Sequence, residues 1–143
     1  MMIIRRALVL DANILIRAVL GQRVRGILRK YHEVARFYSP EICFQEAAEH
    51  LPIIVGEEGA GEAPILEVLH KIHDFVDSVD QSLYAEFESL AKRRVSSRDP
   101  DDWPVVATAL FLQCPIWTED KDFFGSGIAT WTTDRVELFL AGD

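Results

Sequence analysis

The chain has 143 residues, 49% of them hydrophobic and 27% charged, which suits one globular domain with its own core and needs no disulfide or metal staples. Its two cysteines, Cys43 and Cys114, stand in no CxxC or metal-type spacing, so they are expected to be reduced, buried thiols of a cytoplasmic protein, with a disulfide between them left open. No apolar run approaches the roughly 18 residues of a membrane span, and Asp11 and Asn13 interrupt the N-terminal apolar patch that mimics a signal peptide.

In chain order, the apolar run ALVL (7–10) ends at a polar turn and predicts a buried strand. Residues 12–19 and 22–32 are predicted helices separated by Gly21. EVARFYS (33–39) alternates and carries aromatic and β-branched residues, as a strand does. Ser39-Pro40-Glu41 is expected to be an N-cap followed by proline at the first helical position, opening a helix that bends or breaks near Pro52. The glycine-rich tract 56–64 has no Lys-Ser/Thr after it and is not a phosphate-binding P-loop. A helix over 64–74, a short strand over 75–79 and a helix over 82–94 follow. The loop 96–102 leads into the helix WPVVATALFLQ; strands at 115–118 and 128–132 and a helix over 133–141 complete the chain. Strands alternating with helices predict an α/β domain, residues 1–143, with a mainly parallel sheet covered on both faces.

Ligands of such sheets bind outside the carboxyl ends of the strands. Asp11 and Asp120 each lie just past a predicted strand, Asp102 starts a helix, and Glu46 sits mid-helix. Singly, each has a structural role open to it: Asp11, Asp101, Asp102 and Asp120 can cap helices or turns, and Glu46 can face solvent. Together, three or four converging carboxylates would repel one another unless a cation neutralised them, and hard divalent cations take this kind of oxygen donor. Asn13 and Thr118 add neutral hydrogen-bonding groups at the same edge. His70 and His73, one turn apart, lack further ligands nearby in sequence and are expected on a solvated or half-buried face. Trp103, Trp117 and Trp131 are expected in the core or on a dimer face.

LVLDANIL, SPEICFQE, DPDDWPVVATAL and IWTEDKDF resemble, in this order, the acidic motifs of the PIN-domain ribonucleases. The resemblance spans nearly the whole chain and implies a three-layer α/β/α sandwich with Mg²⁺- or Mn²⁺-dependent cleavage of single-stranded RNA. It also implies frequent homodimerisation and, for many small prokaryotic members, the role of toxin beside an antitoxin protein. By position, Asp11, Glu46, Asp102 and Asp120 are the catalytic, metal-holding acids, with Asn13, Thr118, Asp101 and Asp122 as auxiliaries. The spacing from Asp102 to Ala107 favours Asp102 over Asp101 as the third acid, though the crowding of Asp99, Asp101 and Asp102 leaves room for a slip of one.

The net charge of −8 at first argues against a nucleic-acid partner. Residues 1–36, however, hold eight Lys/Arg against two acids, a local charge of +6 that leaves −14 for the rest. Arg17, Arg23, Arg25 and Arg29 are therefore either contacts for RNA phosphates or a solvated helix face. Two other readings compete with a nuclease. One is a PIN-fold RNA- or protein-binding module without cleavage; the other is a phosphohydrolase of small esters, which position 13 disfavours by offering Asn where a second Asp is needed.

Overall fold

The apolar run ahead of Asp11 becomes the middle of the sheet. Strand β1 (Arg6–Leu10) ends in Leu8, Val9 and Leu10, all without solvent exposure, because a central parallel strand is flanked on both edges and covered on both faces. The computed structural model describes residues 6–59, 61–95 and 99–142; Arg5 and the loop residues 96–98 lie outside these.

Five strands form one wholly parallel sheet in the order β3-β2-β1-β4-β5. Beside β1 lie β2 (Ala35–Pro40), with Leu8 opposite Phe37, and β4 (Ile116–Trp117), with Leu10 opposite Trp117. β3 (Val76–Val79) and β5 (Thr130–Trp131) form the edges. The chain builds outward from β1 to β3, then returns to the other side of β1. The order therefore reverses between β1 and β4, the place where an open α/β sheet leaves a crevice at its carboxyl edge.

Helices complete a three-layer sandwich. α1 (Ala12–Leu20), α2 (Arg23–Tyr31), α3 (Glu41–Val55) and α4 (Ile65–Ile72) pack on one another in the connections from β1 to β3. The return connection holds α5 (Gln81–Tyr84), α6 (Glu88–Val95) and α7 (Trp103–Leu112), and α7 lies against β1 and β2. α7 buries Pro104 through Ala109 without interruption, so it has no polar stripe and sits enclosed between sheet and helices. α8 (Val136–Ala141) docks on α2 through Glu137, which accepts hydrogen bonds from Lys30 and Tyr31.

Two local expectations are corrected, and of the bend or break expected at Pro52 the break is ruled out. Ser39 is no helix cap: its hydroxyl donates to the Leu10 carbonyl at 2.7 Å, and Pro40 ends β2 in extended conformation opposite Val79. Helix α3 runs through Pro52 instead of breaking there. Less than one turn follows the proline, so few helical bonds depend on its missing N–H. Gly56, in the left-handed region at φ 76°, closes the helix, and the next residue, Glu57, donates to the Pro52 carbonyl. The helix expected over 82–94 is divided by a 3₁₀ turn, Ala85–Phe87, after Asp80 caps α5 through the Ser82 N–H. Both cysteines are free thiols; Cys43 is buried and Cys114 half-buried.

Candidate functional site

Asp11 leaves β1 at the reversal point and does two structural jobs at once. Its Oδ1 accepts the Ile14 N–H at 3.0 Å, capping α1. Its Oδ2 accepts a hydrogen bond from the Thr118 hydroxyl, one residue past β4. The Thr118 oxygen in turn accepts the backbone N–H of Asp120 at 2.9 Å, and Asp120 Oδ1 accepts the N–H of Asp122, capping the 3₁₀ turn Lys121–Phe123. One hydroxyl, wholly buried, thus ties the ends of the two strands that bracket the crevice.

Asp102 reaches the same place from the other direction. It occupies the N-cap position of α7, yet its side chain makes no capping bond. Its Oδ2 is buried and has no hydrogen-bond partner among the described residues, a costly condition for a carboxylate unless a cation meets it. Oxygens of Asp102, Asp120 and Asp122 lie within 4.8 Å of one another. Glu46, from the middle of α3, supplies the remaining wall. Asp11, Asn13, Glu46, Asp101, Asp102 and Asp120 all line one cleft of about 70 Å³, enough for an ion with a few waters.

The electrostatics match this crowding. Burial pushes the Asp11 pKa up to about 6 against the lowering effect of Thr118 and the Ile14 N–H, and repulsion from Asp120 and Glu119 adds to it. Asp102 is raised further, to about 7, by burial and then by Asp99, Asp120, Asp11 and Asp122. Glu46 is raised by burial, with Glu49, Asp101 and Asp99 contributing and His50 opposing. Buried like charges destabilise the ionised form unless a counter-charge is present, and an all-oxygen donor set with one unsatisfied carboxylate oxygen suits a hard divalent cation.

Every acid singled out from the sequence lies at or beside this cleft. Asp101 lines it while exposed; Asp102 is the one that joins the close cluster. Two participants were not anticipated. Asp99, whose Oδ1 accepts the Asp101 N–H at 3.0 Å, acts electrostatically on both Asp102 and Glu46. Cys43 also lines the cleft, its thiol held well above the ordinary range by burial and by Asp11 and Glu46; its spacing of three from Glu46 on one helix was the signal available.

The basic N-terminal helices divide by role. Arg25 folds back to donate to the Ala18 and Val19 carbonyls, closing the end of α1. Arg23 pairs with Asp134 at 2.7 Å in the open. Arg17 and Arg29 are exposed, and Arg17 borders a surface hollow shared with Asn13, Asp120 and Lys121. His73 stacks on Phe44, and among the described residues the histidines join no metal-ligating cluster. Trp117 is a core residue bonded to Thr133, while Trp103 and Trp131 pack half-buried against Tyr84 and Phe139.

Comparison with known proteins agrees with this architecture. No curated protein was found to be similar in sequence. Among solved structures, the fold is similar to PAE2754 from Pyrobaculum aerophilum, at 13% identity with 97% of each chain covered and a TM-score of 0.70. It is also similar to VapBC2 from Rickettsia felis bound to a DNA fragment from their promoter, at 13% identity over 88% of this chain and 98% of that one, TM-score 0.65. A third, FitAcB from Neisseria gonorrhoeae, is 22% identical over 88% and 97% of the two chains, TM-score 0.55. Residues 9–141 match the family described as PIN domain, and with its parallel sheet and carboxylate-lined crevice the chain belongs to the PIN-domain family, whose members are generally nucleases.

Proposed function

We propose that the protein is a metal-dependent endoribonuclease that cleaves phosphodiester bonds of single-stranded RNA, and that it serves as the toxin of a toxin–antitoxin pair. The observation that carries the reading is the buried Oδ2 of Asp102, without a hydrogen-bond partner among the described residues, within a cleft walled by Asp11, Glu46, Asp101 and Asp120. In this reading Asp11, Glu46, Asp102 and Asp120 hold one or two Mg²⁺ or Mn²⁺ ions, with Asp101 and Asp122 as auxiliary acids. When bound, such an ion activates water and offsets the charge that develops on a phosphodiester undergoing displacement.

The chain's own residues prepare that chemistry. Thr118 fixes Asp11 Oδ2 and the Asp120 backbone together, so two carboxylates keep their orientation without a ligand. Asn13, exposed at the cleft mouth, offers an amide donor to a phosphate oxygen. Arg17, one turn along α1 from Asn13, supplies positive charge where the flanking RNA backbone would pass. The fold shared with VapBC2 and FitAcB supports an antitoxin partner, and a second copy of the chain completes the proposed assembly.

Purified protein incubated with a mixed RNA pool tests the reading. Cleavage with Mn²⁺, its loss with EDTA, and its loss in Asp11→Asn are expected. Retained RNA binding without cleavage in the wild type would replace the nuclease with a binding module. Turnover of a chromogenic phosphate ester without RNA cleavage would replace it with a phosphohydrolase.

A further inference from the structure

The close acid cluster is assembled from two separate loops. Asp102 comes from the stretch between α6 and α7, while Asp120 and Asp122 come from the stretch after β4. Carboxylates within 4.8 Å of one another push their loops apart as long as no cation lies between them. Something must hold the loops at a fixed separation.

Arg94 stands where such a tie is needed. It lies in the last turn of α6, just before the loop that carries Asp99, Asp101 and Asp102. Its Nη1 donates to the Ser126 carbonyl at 2.8 Å, at the far end of the loop that carries Asp120 and Asp122. The receiving loop is firmly seated: Phe123 and Ser126 are buried, and the Ser126 N–H donates to the Phe123 carbonyl. A second feature points to the same contact. Gly127 has φ +85°, and a Cβ built on it would collide with Nη1 of Arg94. The loop thus leaves open the space that the guanidinium occupies.

We infer that Arg94 is a positioning residue of the cleft: by bonding Ser126 it sets the distance between the Asp102 loop and the Asp120–Asp122 loop, and so the affinity for the divalent cation. The inference rests on the proposed metal site. It concerns geometry, since divalent ions of the Mg²⁺ type tolerate little deviation in ligand placement; because Arg94 bonds a loop and not a ligand, its loss is expected to cost less than the roughly 10–100-fold that follows loss of a group bonded directly to a metal ligand.

The test is Mn²⁺ titration of the full chain, followed calorimetrically and by the loss of the free-ion electron paramagnetic resonance signal. Wild type is compared with Arg94→Met, which keeps the stem but not the donors, and with Arg94→Lys, which keeps a cationic donor. The expectation is a Kd weaker by up to about 10-fold in Arg94→Met, the lower end of the range for direct partners of a ligand, recovery toward wild type in Arg94→Lys, and metal-free melting temperatures within a few degrees of each other. Wild-type affinity in Arg94→Met overturns the inference and leaves the metal site standing. A metal-free melting temperature that falls in step with Mn²⁺ affinity overturns it as well, making Arg94 a structural prop. A wild type that binds no Mn²⁺ removes both the inference and the metal site beneath it.

Discussion

Replacing Asp11 by Asn should stabilise the metal-free protein at neutral pH, although Asp11 caps a helix. The carboxylate is 5% exposed and its pKa is raised from 3.8 to about 6. A raised carboxylate pKa means that the folded state holds the proton more tightly than the unfolded state. Stability is therefore highest below about pH 4, falls as pH rises through the window from 3.8 to about 6, and stays reduced above it. A shift of about two units corresponds to about 3 kcal/mol at 1.36 kcal/mol per unit. Asn keeps an oxygen for the Ile14 N–H and can turn its amide N–H toward Thr118 Oγ, so the substitution removes the charge but leaves the buried Thr118 hydroxyl proton without its acceptor, at a cost of about 1 kcal/mol. After that allowance, Asp11→Asn is expected to be about 1–2 kcal/mol more stable than wild type at pH 7, about 3–6 °C in melting temperature for a domain of this size. At pH 4 that advantage should be gone. Thermal unfolding in EDTA at pH 4, 5.5 and 7 measures the difference. A variant less stable than wild type at pH 7, or a gap that ignores pH, would refute the argument and leave Asp11 as a cap alone.

Other consequences are equally specific. Mn²⁺ at 100 times its Kd should raise wild-type stability by about 2.7 kcal/mol through mass action, and Asp102→Asn should lose most of that gain in a melting assay with and without EDTA. Thr118→Val removes a hydroxyl that serves Asp11 and Asp120 together; denaturant unfolding should show a loss of about 1–3 kcal/mol, with weaker Mn²⁺ binding. Arg25→Ala, which uncaps α1, should cost about 1 kcal/mol in the same assay without changing RNA affinity. Arg17→Ala should weaken RNA binding and reduce its salt slope by about one unit or less, readable in filter-binding titrations at several salt concentrations.

Much of this architecture is legible in the sequence because it is periodic or punctuated. ALVL before Asp11 and IWT before Glu119 mark strand ends, and parallel strands bring their ends to one edge however far apart they lie in the chain. Hence Asp11 and Asp120, 109 positions apart, meet through Thr118. What was not legible depends on contacts between distant segments. Ser39 has the composition of a cap but bonds across to Leu10, a choice made by strand pairing. Arg25 has the look of a free surface charge until α1 ends beside it. The uncapped side chain of Asp102 and the bond from Arg94 to Ser126 follow from how loops are juxtaposed, and no spacing in the chain announces either.

The central claim is that the carboxylates of this cleft hold a divalent cation. Anomalous diffraction from crystals soaked in Mn²⁺ tests it most directly. The account predicts a peak bounded by Asp11, Glu46, Asp102 and Asp120, about 2.0–2.1 Å from carboxylate oxygens that include Asp102 Oδ2, as expected for an octahedral ion of the Mg²⁺ type. An empty cleft at millimolar Mn²⁺, or a peak only elsewhere, such as beside His70 and His73, would contradict it.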